Sequence, residues 1–342
     1  MDQEKLEEKA VSLFEQQGFS IESEGNHFVA KNGSRVEFSV YSSHEFSAEE
    51  VLDDRRENET VFVDEGLEEL RGEMEDLSVL EEEEEKEDYD LPSYEIIGTV
   101  AVINELGDHD PGEVVEGIRE HNPHVETILV KEEGLHGEFR VGDYRVLYGG
   151  ETETTHREFG CRYRVDPTKV YFSERFSTER ERVVSKIEDG ERVLVMFAGV
   201  GPFAILAGKN SSPEEVVAIE KNPVGADYLK ENIRLNNLEH VVAGVEGDVK
   251  DEVPGRGKFD RVVMPLPGSA DEFLPLAMKH TAENGVIHYY RFMEEGDWDS
   301  IIEEVEEAAR ETGVDYEIVE KTVTGHRGAY LDRVCLDIRM EK

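Results

Sequence analysis

Lysine is scarce in this chain. Its 342 residues hold 15 lysines and 22 arginines against 81 Asp+Glu, for a formal charge of −44. Cysteine is scarcer still. Cys161 and Cys335 alone cannot build a disulfide framework or a cysteine-based zinc site, which points to a reducing compartment. No apolar run approaches the ~20 residues of a membrane helix. The opening MDQEKLEEKA lacks the basic and apolar regions of a signal peptide. These absences predict a soluble, cytoplasmic protein. Its length allows two or three domains of roughly 100–200 residues each.

What is abundant is carboxylate. Phosphate binding wants a basic face, so such acidity would ordinarily argue against a nucleic-acid partner. A whole-surface acid excess also maintains solubility in a high-salt cytoplasm, and that reading suggests a halophilic archaeon. The distribution is then more informative than the total. Residues 1–92 hold 30 acids and 8 cations, whereas residues 140–186 hold 8 acids and 10 cations, a net +2. This basic island within an acidic protein is a candidate surface for an anionic substrate.

Periodicity divides the chain. Residues 3–17 predict an amphipathic helix stopped by Gly18, followed by short strands at His27–Ala30, Val36–Tyr41 and Val61–Val63. Residues 1–80 form an acidic amino-terminal domain of helix and strands. Residues 81–92, with the run Glu81–Glu85, are a linker extended by like-charge repulsion. Residues 93–177 read as a small α+β domain. It has a strand at Ile96–Ile103, a helix at Pro111–Glu120 with Val114, Val115 and Ile118 inward, and a strand at Val125–Val130. The alternating segments YRVLYG, TTHREFG, CRYRV and VYFS follow.

Residues 178–342 alternate strand and helix. Thr178 and Glu181 fit a capping box. Strands are expected at Val193–Phe197, Val216–Glu220, Val241–Val245, Phe259–Met264, Val286–Phe292, Tyr316–Val323 and Val334–Arg339. Five strands with crossover helices and a closing pair make a doubly wound α/β sheet.

Chemistry concentrates at the ends of these strands. VLVMFAGVGPFAI (193–205) runs a buried strand into a turn with Gly199 and Gly201, then into a helix start that offers unpaired N–H groups. Glu220 ends the second strand about twenty residues later, where an acid can accept both hydroxyls of an adenosine ribose. Asn222 and Pro223 fit the cap and first position of the next helix. Asp248 ends the third strand, placed to read an adenine amino group. Pro265 and Pro267 end the fourth and cannot continue a ladder; Ser269 and Glu272 can cap the helix after it. Singly these are also a surface acid, a loop acid and a strand terminator. Consecutive strand ends that each supply a suitable group are more specific.

Together they resemble the S-adenosylmethionine-binding core of the class I methyltransferases, a Rossmann-like fold. YFSERFSTER (171–180) followed by MFAGVGPF and VVMPLP resembles, over residues 93–342, the archaeal and eukaryotic-type tRNA methyltransferases that modify N1 of guanine 37. A related aminocarboxypropyl transferase of wybutosine synthesis shares the core, and a catalytically inactive tRNA-binding relative is a third reading.

The first resemblance implies S-adenosylmethionine as cofactor, held by Tyr171, Arg175, Phe197, Gly199, Gly201, Phe203, Glu220, Lys221, Asp248, Pro265 and Pro267. It implies Glu179 as general base and Arg140 as catalytic arginine, with no metal. It also implies a monomer that grips the tRNA anticodon stem-loop through residues around 140–186. The proton on guanine N1 must leave as the methyl arrives, so a carboxylate takes it while a cation stabilises charge on O6. Two positions depart from the family: Val195 stands where an acid is usual, and Pro265 where an asparagine is usual.

Overall fold

The computed structural model describes strand segments within residues 20–63 and then residues 89–132, 142–326 and 331–341. The expected helix at 3–17, the run Glu81–Asp88 and Arg140 lie outside the described residues. The chain forms two compact units, Met1–Asp88 and Tyr89–Lys342. In the first, β1 (Ser20–Glu24), β2 (His27–Asn32) and β3 (Ser34–Tyr41) pair antiparallel, and β4 (Thr60–Val63) adds parallel to β3. The polar segment of β1, SIESE, gave no apolar alternation to mark it.

The second unit begins with a correction. The single strand expected over Ile96–Ile103 is a hairpin of β5 (Tyr94–Ile97) and β6 (Val100–Ile103). Gly98 makes the turn at φ 59°, and a Cβ there would lie 2.2 Å from Thr154 Oγ1, so only glycine fits. Helix α1 (Pro111–His121) starts at Asp110, whose carboxylate accepts from the Gly112 and Glu113 N–H groups; Val114 and Ile118 are buried and Val115 partly so. It crosses to β7 (Thr127–Lys131), parallel to β6, and β8 (Tyr144–Tyr148) closes this four-stranded sheet.

A separate hairpin of β9 (Thr154–Glu158) and β10 (Cys161–Val165) follows. The segment Val170–Ser173, expected as a strand, is irregular and leads into a 3-10 turn at Glu174–Phe176. That turn feeds directly into α2 (Ser177–Val184), whose cap position is Phe176 with no side-chain cap bond. The expected capping box does not form, because Thr178 already sits inside the helix and a cap residue needs non-helical backbone.

Seven strands build the main sheet: β11 (Arg192–Met196), β12 (Glu215–Glu220), β13 (Val242–Glu246), β14 (Phe259–Met264), β15 (Thr281–Glu294), β16 (Tyr316–His326) and β17 (Leu331–Met340). Their order is β13-β12-β11-β14-β15-β17-β16, parallel through β15, with β17 inserted antiparallel between β15 and β16. Helices α3 (Pro202–Asn210), α4 (Pro223–Leu235), α5 (Val249–Glu252), α6 (Leu274–His280) and α7 (Trp298–Thr312) make the connections. Val193, Val195, Val216 and Ala218 turn into one buried layer; Leu194, Met196, Val217 and Ile219 turn into the other. Strands covered on both faces read as continuous apolar runs, and VLVM and VVAI do. The fold is the expected α/β, Rossmann-like one. Strand order reverses between β11 and β14, and that switch point opens a crevice at the carboxyl ends of the strands.

The hairpin is fastened to this core by asparagines one helical turn apart. Asn232 exchanges hydrogen bonds with the Arg164 backbone (2.6 and 3.0 Å), and Asn236 with that of Arg162 (3.0 and 2.7 Å). One side chain of α4 and that of its C-cap residue thereby satisfy the edge of β10 as a neighbouring strand would.

Candidate active site

The switch-point crevice holds a cavity of about 500 Å³. Phe197 and Gly199 after β11, Glu220 ending β12 and Lys221 after it, Asp248 after β13 and Pro265 after β14 line it, with Tyr171. Gly199 has φ 56°, and a Cβ there would meet nothing nearer than the Tyr171 carbonyl oxygen at 3.9 Å. Glycine at this position therefore keeps the cavity open rather than relieving protein packing.

The Glu220 carboxylate accepts from the Gly199 and Asn222 N–H groups, both at 2.7 Å, which joins the ends of β11 and β12. Burial pushes its carboxyl up from the ordinary value, against these backbone bonds. Asn222 accepts from the Val224 N–H and caps α4 as expected, with Pro223 in the first turn. Asp248 accepts from the Lys250 N–H and pairs with Lys221 at 2.9 Å, which together hold its carboxyl below the usual range. Ser269, expected to cap a helix, makes no such bond; a 3-10 turn follows it.

A smaller cavity of about 70 Å³ adjoins the first, sharing Tyr171, Phe197, Gly199 and Pro265 with it and adding Phe176, Arg180 and Phe203. Its walls are mostly aromatic and aliphatic. Gly201 and Pro267 line neither cavity. Gly201 lies at φ 92°, where a Cβ would come within 2.6 Å of Leu229 Cδ1, and the Pro267 carbonyl accepts from the Phe292 N–H. Arg175 also stands aside, its guanidinium on Glu95 and Ser93. Val195 is buried in the sheet.

Glu179 is 6% exposed and does not line the smaller cavity. Arg182 grips both its oxygens at 2.7 Å, and the Tyr290 hydroxyl donates to Oε1. Arg182 also donates to Asp337 (3.0 Å), which accepts from Lys186 (2.6 Å) and hydrogen-bonds His288 Nδ1 (2.7 Å). Burial would raise Asp337, but its bonds to His288, Arg182 and Lys186 outweigh that and hold it well below the carboxylate range. Burial pushes the His288 imidazole down and the Cys335 thiol up.

Ligand atoms of His288, Cys335 and Asp337 lie within 4.8 Å of one another. With Asp337 already between two cations and Cys335 held as thiol, the set does not fit a metal ion. Sequence reasoning missed Tyr290, Arg182, His288 and Asp337. An Asp within VCLDIR and a His within VIHYYRF, both inside apolar strands, were the available signals.

The basic island is largely neutralised at home. Arg145, Arg164, Lys169, Arg175, Arg180, Arg182 and Lys186 each pair with a carboxylate. Among the described residues, Arg157 and Arg162, opposite each other on the exposed face of the β9–β10 hairpin, have no carboxylate partner.

Residues 154–319 match the TRM5/TYW2 methyltransferase domain. The chain is 40% identical over 256 residues to the tRNA (guanine(37)-N(1))-methyltransferase Trm5b of Pyrococcus abyssi, covering 72% of this chain and 74% of that one. The chain belongs to the TRM5/TYW2 methyltransferase family. The tRNA(Phe) (4-demethylwyosine(37)-C(7)) aminocarboxypropyltransferase of Methanocaldococcus jannaschii is 35% identical over 230 residues, 66% of this chain and 90% of that one. The crystal structure of wild-type Trm5b from Pyrococcus abyssi superposes with a TM-score of 0.69 at 30% identity, over 99% of this chain and 97% of that one. No helix among the described residues of this TRM5/TYW2 chain is long and apolar enough to cross a membrane.

Proposed function

We propose that this protein methylates N1 of guanine 37 in tRNA, with S-adenosylmethionine as methyl donor. The observation that carries the reading is the pair of joined cavities at the switch point. The larger presents Glu220 and Asp248, suited to a ribose and an adenine amino group. The smaller is walled by residues of the YFSERF segment, and Glu179 is bonded to Tyr290, whose ring packs near the wall residues Phe176 and Phe203. A volume of about 500 Å³ falls within the usual range for small-molecule sites.

The cofactor would lie against Phe197, Gly199, Glu220, Lys221, Asp248 and Pro265, and it supplies an electrophilic methyl group. The aromatic walls of the smaller cavity stack an extruded base and exclude water. Glu179 takes the N1 proton. Arg182 has a second carboxylate, Asp337, on which to remain as Glu179 is neutralised. The family resemblance assigns Arg140 to the charge that develops on O6, and Arg157 and Arg162, which have no carboxylate partner among the described residues, offer charge to the anticodon stem-loop phosphates. The protein acts as a cytoplasmic monomer, and its acidic surface suits a halophile's multimolar salt.

Mass spectrometry of position 37, after incubating unmodified tRNA with enzyme and labelled S-adenosylmethionine in multimolar KCl, tests the reading. N1-methylguanosine is expected. An aminocarboxypropyl adduct would assign the chain to the transferase branch, and bound tRNA without product would leave an inactive relative.

A further inference from the structure

Arg333 sits on β17, opposite Phe292 of β15. Because β17 runs antiparallel, its first residues lie at the carboxyl ends of the parallel strands, the edge on which both cavities open. The guanidinium carbon lies 3.3 Å from the centre of the Phe176 ring, which is itself a wall of the smaller cavity. Glu179, Tyr171 and Tyr290 all act on its charge.

Its bonding is unusual for this chain. Arg180, Arg182, Arg261 and Arg291, likewise shielded from solvent, each hold a carboxylate. Arg333 has none within ion-pair reach among the described residues, in a protein with 81 acids. Its Nε donates to Thr324 Oγ1 (3.1 Å) and its Nη2 to the Thr324 carbonyl (2.8 Å), which leaves Nη1 without a bond among the described residues. Gly325 makes room for it, since a Cβ there would meet Nη2 at 3.0 Å. Burial pushes the guanidinium down from its usual value, and the upward pull of Tyr171, Tyr290 and Glu179 does not offset it. A half-buried cation without an anion is costly, and an incoming anion removes the cost.

We propose that Arg333 is a substrate-contacting residue, whose guanidinium, held over the Phe176 ring, receives a negatively charged or charge-developing oxygen of the target nucleotide. This rests on the tRNA methyltransferase reading of the same site. The oxygen is either a backbone phosphate or guanine O6, and the kinetics separate them. A phosphate contact acts on ground-state binding, whereas an O6 contact strengthens only as charge builds during transfer.

The test is single-turnover methylation by wild type, Arg333→Met and Arg333→Lys over a series of tRNA concentrations, with S-adenosylmethionine binding by calorimetry as the folding control. For an O6 contact, Arg333→Met lowers the rate constant at saturation by roughly 100-fold with unchanged half-saturation. For a phosphate contact, it raises the half-saturating tRNA concentration, flattens the salt dependence by about one charge and leaves the saturated rate unchanged. Arg333→Lys keeps the charge and recovers part of either loss. Rate and half-saturation both within twofold of wild type would overturn the proposal. Should Arg333→Met fail to bind cofactor, Arg333→Lys decides by the same two readouts. No product from wild type removes the methyltransferase reading, and this inference with it. Product from wild type with an unaffected Arg333→Met removes the inference alone.

Discussion

Tyr290 donates its hydroxyl to Glu179, a buried bond between β15 and α2 that spans 111 positions of chain. Phe176 and Phe203 pack their rings near Tyr290, so the carboxylate proposed to move a proton is held by the same aromatic cluster that walls the smaller cavity. Glu179→Gln is expected to slow single-turnover methylation by roughly 10²–10⁴-fold, the usual worth of a general base, with cofactor affinity unchanged. Full activity in that variant would remove Glu179 from the mechanism. Tyr290→Phe strips a donor from a buried carboxylate and should lower stability by roughly 1.5–3 kcal/mol, read from urea unfolding.

Glu220 should make cofactor binding pH-dependent. Burial raises its carboxyl above the ordinary value of 4.5, and the protonated acid loses acceptor capacity toward ribose hydroxyls. Affinity for S-adenosylmethionine then falls as pH drops, with a midpoint above 4.5. Glu220→Gln should weaken binding roughly 10- to 100-fold, equivalent to ~1.5–3 kcal/mol, and flatten the pH profile. Calorimetric titrations of both proteins across pH check this; parallel profiles would count against it.

Asp337 stabilises through ionisation. Its folded value is depressed by His288, Arg182 and Lys186 despite burial, so its contribution is complete above the unfolded value. That contribution is lost as pH falls through the folded one. Asp337→Asn should cost roughly 3–5 kcal/mol at neutral pH, because it leaves buried cations uncompensated. The gap between the two proteins should narrow below about pH 4, near the unfolded Asp value. Urea unfolding at pH 7 and pH 3 measures both; a gap that widens in acid would contradict the assignment.

Asn232 holds the β9–β10 hairpin to α4. Replacing it with alanine strands the Arg164 N–H and C=O and the Val200 C=O, to which it also donates. A loss of roughly 2–4 kcal/mol is expected from unsatisfied buried groups, with faster amide exchange at Arg164. Unchanged protection there would show the hairpin to be fastened otherwise.

The sequence by itself determined the seven strands of the main sheet, the glycine turn after β11, the acids ending β12 and β13 and the Asn222 cap. All of these are local. Apolar runs, turn residues and the spacing from strand end to acid are written in consecutive positions, and a doubly wound sheet places successive strand ends along one edge whatever the details. At two of the places where the expectation failed, the β5–β6 hairpin and the start of α2, distant or adjoining structure had overridden a local signal. Thr154 enforces glycine at Gly98, and a 3-10 turn displaces the cap.

Only the tertiary structure decided what the charged residues do. The basic island at 140–186 looked like a surface for an anion, yet most of its described cations are paired with carboxylates, some of them far along the chain. Lys186 reaches Glu320 and Asp337, and Arg175 reaches Glu95. Conversely, Arg333 lay outside the island and drew no notice in sequence. It emerges as a half-buried arginine without a carboxylate among the described residues. Charge is counted along the chain, but pairing operates over a few ångströms in space, and the fold sets which charges come that close.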